Sequence, residues 1–162
     1  MISNDGSTLI RSTYLGTAAI DQVFGVQFDR NGFPYVMGQT RGTWQVLNAL
    51  YSVAGAPQFI AKLQPDLSAY VYSTTFGKSA STPNISPVAF LVDNCENVYV
   101  SGWGGAILNN TYNSSGTIGL PVTPDAIKSN GDAIGDFYFF VLQKNATANY
   151  SEAFWTTRWS VS

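Results

Sequence analysis

The chain contains no histidine and a single cysteine, Cys95, in 162 residues. Without histidine, the Ser-His-Asp triad and the common zinc ligand sets are excluded. With one cysteine, no intrachain disulfide can form, and a catalytic thiol would lack its usual imidazole base. Cys95 therefore reads as a small residue beside a turn. Charge is also scarce: eight basic residues against ten acidic ones leave a net charge of −2. No basic field exists to hold a phosphate backbone, so nucleic acid is not an expected partner. No run of about 18 apolar residues is present, so no membrane span is expected. The first residues, "MISNDGSTLIRS", lack the basic start and long apolar stretch of a secretory signal. The chain reads either as cytosolic or as a piece of a longer, exported one. Nothing in it calls for a cofactor.

What is present is apolar and aromatic. Hydrophobic residues make up 45% and aromatics 14%, a composition that supports a folded core and favours strands over helices. The length suits one ordinary domain. Within it, segments recur. "DGSTLIRSTYLG" (5–16) aligns with "DLSAYVYSTTFG" (66–77) at an offset of 61. "FGVQFDRNGFPYVMG" (24–38) aligns with "VAFLVDNCENVYVSG" (88–102) at an offset of 64, and "FIAKLQPD" (59–66) with "YFFVLQKN" (138–145) at 79. A fixed order with growing spacing is what loop insertion between repeated strands produces.

Each repeated segment reads as a strand. Phe24, Val26 and Phe28 alternate with Gly25 and Gln27, and Val88, Phe90 and Val92 sit at the equivalent positions of the second copy, so each triplet is expected on one sheet face. "PYVMG" and "VYVSG" follow as second strands, joined to the first by the Asp/Asn turns "DRNGF" and "DNCEN". Calcium ligation by these turns is a thin alternative, with one or two carboxylates each. Gly38 and Gly102 are expected to allow sharp strand exits. "QFIAKL" (58–63) and "FYFFVL" (137–142) are third strands; "AYVYSTTF" (69–76) is a fourth, echoed by an N-terminal strand at 8–16 and, less closely, by "YSEAFW" (150–155). No long helix is expected. Four short antiparallel strands repeated as a unit describe an all-β protein of propeller blades. The expected divisions are 1–16, an outer strand of a preceding blade; 17–77, one blade; 78–156, a second blade with a long insertion loop at 104–135; and 157–162, a tail.

"STYLG", "FDRNGFPYVMG", "FIAKLQPDLSAYVYSTTFG" and "VDNCENVYVSGWGG" resemble the SBBP repeat, a bacterial seven-bladed β-propeller repeat. The resemblance covers about residues 5–150. It departs where Ala61 and Lys62 become Phe140 and Val141 in the second unit. The resemblance implies a setting like that of large secreted Bacteroidetes proteins with gliding-motility or type IX sorting domains, hence an extracellular or cell-surface location. Two units cannot close a propeller ring of about four to eight blades. The expected partners are therefore further blades of a parent chain, or self-association.

A ligand surface is expected on the side of the long second-to-third connections, at about 40–57 and 104–135. Trp44, Trp103, Asn109, Asn110, Tyr112 and Asp132 are the candidates, because exposed aromatics beside amides suit a glycan or protein ligand. The competing reading makes Trp44 a loop anchor and Trp103 a plug between blades. "PVTPDAIK" (121–128) echoes "QVLNALYS" (45–52) at an offset near 76 and reads as a loop clasp that opens with one short helical turn. No catalytic or metal-binding residue is assigned. The leading expectation is a non-enzymatic binding or scaffolding module that serves adhesion or gliding. The alternative is a carbohydrate-active propeller using acids such as Asp132 and Asp136.

Overall fold

In a computed structural model, residues 1–104, 115–131 and 135–144 are described. They form seven strands and no helix: β1 (Asp21–Phe28), β2 (Pro34–Thr40), β3 (Gln58–Leu63), β4 (Tyr70–Phe76), β5 (Ser86–Val92), β6 (Val98–Gly104) and β7 (Asp136–Leu142). Two antiparallel sheets result, β1-β2-β3-β4 and β5-β6-β7. The protein is thus all-β, and no helix among the described residues is long and apolar enough to cross a membrane.

The registers make the two sheets copies of one another. Tyr35 pairs with Lys62 as Tyr99 pairs with Val141, and Gly38 opposes Val23 as Gly102 opposes Pro87. Both first strands bulge at the same place, with Phe24 and Val88 as the extra residues. The glycines opposite the bulges lie inside β2 and β6, where they serve close approach instead of a strand exit. A Cβ on Gly102 would stand 2.6 Å from the Ser86 carbonyl oxygen, and one on Gly38 would strike both the Gln22 carbonyl and the Phe59 ring. The bulge pushes the neighbouring backbone inward, and only glycine leaves room for it.

The sheets stack through unlike faces. Tyr35, Met37, Ile60 and Phe76 of the first meet Val92, Val98, Val100 and Phe140 of the second in one buried cluster. Phe76 and Phe140 stack across the junction with ring centroids 4.8 Å apart, a contact worth about 0.5–1.5 kcal/mol beyond its area. The expected alternation holds in β1, but the covered face is the other one. Phe24, Val26 and Phe28 are 43%, 53% and 62% exposed. Gly25 faces the second sheet instead, and a Cβ there would meet the Phe90 ring at 2.7 Å. Alternation tells which side chains share a face; neighbouring backbone decides which face is covered.

The opposite face of the first sheet carries a smaller cluster of Val36, Trp44, Phe59, Ala61 and Leu63, against which Leu15 packs. The expected strand at 8–16 forms no ladder: Ile2 and Leu9 make one isolated bridge. A strand exists only with a neighbour, and β4 already has one. The connection at 47–53 runs along its outer edge, with hydrogen bonds between Leu47 and Ser73 in both directions and from the Val53 amide to the Thr75 carbonyl. Such cover blunts an otherwise open edge. In "PVTPDAIK" the expected helical turn is a plain turn, closed by the Ala126 amide donating to the Thr123 carbonyl at 3.1 Å.

Candidate functional site

Ionisable chemistry concentrates where the two Asp turns meet the sheet junction. Each turn is built alike. Asp29 Oδ1 accepts from the amides of Asn31 at 2.8 Å and Phe33 at 3.0 Å. Asp93 Oδ1 accepts from those of Cys95 and Asn97, both at 2.8 Å. Gly32 and Glu96 occupy the same position, each with left-handed backbone at φ 82° and 66°. Glycine adopts that conformation freely, whereas glutamate is strained there by about 1–2 kcal/mol.

The strain places the Glu96 side chain across the junction. Its Oε2 accepts from Lys62 Nζ at 2.6 Å and from the Tyr35 hydroxyl at 3.0 Å, while Lys144 pairs with Oε1. Lys62 Nζ also lies 2.8 Å from Asp29 Oδ2 and sits over the rings of Phe33 and Tyr35, at 4.6 and 5.0 Å. The side chains of Asp29, Lys62 and Glu96 are at most 10% exposed. Burial presses the Lys62 pKa downward, but hydrogen bonds to Asp29 and Glu96 outweigh it and hold it above its ordinary value. Burial pushes both carboxyls up, yet bonds from Lys62 to Asp29, and from Lys144, Lys62 and Tyr35 to Glu96, hold both below the usual range. All three groups stay charged at neutral pH. A lysine held protonated is no nucleophile, and carboxyls held ionised donate no proton. This cluster is an electrostatic clasp joining the sheets.

Of the predicted site residues, Trp44 and Trp103 are described, and those two do not come together. Trp44 is 7% exposed, stacked on Phe59 with centroids 3.5 Å apart, and its indole N–H donates to Ser73 Oγ at 2.6 Å. This packing is that of a loop anchor. Trp103 is half-buried in β6, between Ser86 and Phe137 on the face of the second sheet turned away from the first. The two tryptophans thus lie on opposite outer faces, because the sheets stack between them. Asn109, Asn110, Tyr112 and Asp132 lie outside the described residues. Asp136 is held by Lys128 at 2.9 Å. Beside that pair is a cavity of about 80 Å³ whose walls include Thr117, Leu120, Val122 and Tyr138. Enclosed ligand sites run to about 300–1,000 Å³, so this one is too small for a sugar.

Sequence reasoning missed Lys62 and Glu96 as partners. The available signal was a glutamate standing where the repeat has glycine. Set against known proteins, the chain matches no family model, no curated protein and no solved structure.

Proposed function

We propose that the chain is a non-enzymatic binding or scaffolding module of a secreted or cell-surface β-propeller, its two sheets being consecutive blades. One observation carries this reading: the sheets repeat each other in register, bulge and turn, and stack with one face of the first on the other face of the second. A unit that stacks in one sense can be continued on both sides. The resemblance of "FDRNGFPYVMG" and "FIAKLQPDLSAYVYSTTFG" to SBBP repeats supports the same reading and the extracellular setting. The concentrated ionisable groups serve the clasp, which supports scaffolding over turnover.

Glycan-array binding, run with a reducing-end assay on the same polysaccharides, tests the proposal. Saturable binding without product is the expected result. Product release that disappears in Asp132→Ala or Asp136→Ala would replace the scaffold with a carbohydrate-active enzyme.

A further inference from the structure

The covered junction between the sheets is a template for reading the two outer faces. Besides the Tyr35–Glu96 and Gln39–Ile85 hydrogen bonds, two side-chain pairs cross it. One is the Lys62–Glu96 ion pair. The other joins Gln58 to Asn84: in the amide orientation that satisfies both, Gln58 donates to Asn84 Oδ1 at 3.1 Å and accepts from the Asn84 amide at 3.0 Å. Every one of these four residues has a counterpart in the other unit. Lys62 corresponds to Val141 and Gln58 to Phe137, on the outer face of the second sheet. Glu96 corresponds to Gly32 and, by the same offset, Asn84 to Ile20, on the outer side of the first.

Both polar pairs are therefore replaced, half on each outer face, by halves of apolar pairs: Val141 with Gly32, and Phe137 with Ile20. A neighbour carrying the usual acid would meet Val141, itself only 6% exposed, where the covered junction supplies a lysine, and a neighbour carrying the usual lysine would meet Gly32 where it supplies a glutamate. Burying a charge without its partner across the junction is unfavourable. The two faces fit one another better than they fit a partner of the covered type. Other positions agree. Gln27 and Gln39 face the covered junction, and their counterparts on the outer face are Leu91 and Trp103. Phe137, Leu91 and Phe139 are 71%, 53% and 43% exposed; Ile20, Val26 and Phe28 opposite them are 65%, 53% and 62% exposed.

We infer that a second copy of this chain stacks its first sheet onto the outer face of the second sheet, continuing the blade stack head to tail. The inference rests on the stacked-blade reading above and adds the partner. The contact is heterologous, so it propagates to a ring or an open stack.

Sedimentation analysis of the full chain tests this with two variants at exposed positions, Phe137→Glu and Phe28→Glu. Wild type is expected to associate with increasing concentration, and each variant alone to associate about tenfold or more weakly. An equimolar mixture still has one intact face of each kind, so it is expected to give a 1:1 dimer and nothing larger. Unchanged circular dichroism will show that both variants fold. A wild type monomeric up to its solubility limit, variants that associate like wild type, or a mixture that stays monomeric would each overturn the proposal. A monomer that still binds a glycan without product would leave the scaffold reading standing, whereas product release would strike that reading alone.

Discussion

At residue 96 the backbone takes a conformation that its own side chain disfavours. Glycine holds the matching position in the first unit, at residue 32. What the glutamate gains is reach: from its turn it meets Lys62 and Tyr35 of the first sheet as well as Lys144 of its own. Two effects then oppose each other in Glu96→Gly, relief of strain and loss of the clasp, while Glu96→Ala loses the clasp and keeps the strain. Urea unfolding should therefore place Glu96→Gly about 1 kcal/mol above Glu96→Ala in stability, with both below wild type. Lys62→Met is the harsher change, because Asp29 and Glu96 stay buried without their shared cation. Its expected cost is about 3–5 kcal/mol, read from the same unfolding curves.

At the level of the element, the repeated bulge and the glycine opposite it form one device. β1 and β5 each carry one extra residue, and Gly38 and Gly102 accept the displaced carbonyl. Gly38→Ala drives a methyl into both the Gln22 carbonyl and the Phe59 ring, and Phe59 is fully buried beneath Trp44. Such overpacking is expected to cost about 1–3 kcal/mol. The change should also perturb Trp44 fluorescence, because that indole rests on the displaced ring. Most of these elements are legible in the sequence. The β-branched and aromatic runs predicted β2 to within two residues and β3 and β4 to within one. Residues 8–16 carry a strand-like pattern yet form no ladder, because such a pattern describes a segment ready to pair, and pairing needs a neighbour at the right edge.

For the whole molecule, the clasp ties stability to pH. Asp29 and Glu96 have folded pKa values below their ordinary 3.8 and 4.5. Their contribution is present above those values and is lost as pH falls through the lowered ones. Lys62 lies above its ordinary 10.5, so its contribution is complete below that pH and is lost as pH rises through the raised value. Buried Tyr35 and Tyr138, both raised by burial, steepen the alkaline side as well, since unfolding frees them to ionise. The acid limb is thus the diagnostic one. Denaturation midpoints measured across the acid range should fall below about pH 4 in wild type and fall less steeply in Lys62→Met.

The sequence by itself determined most of the described strands, their antiparallel order and the twofold repetition, because period-two patterning and Asp/Asn turns are local and survive without context. It also contained the exchange of Lys62 for Val141 and of Gly32 for Glu96. Only the tertiary structure decided that Phe24, Val26 and Phe28 face outward, that Trp44 anchors a loop, and that Glu96 crosses to Lys62. Those outcomes depend on which sheet face a neighbour covers, and distance across a junction is invisible to spacing along a chain.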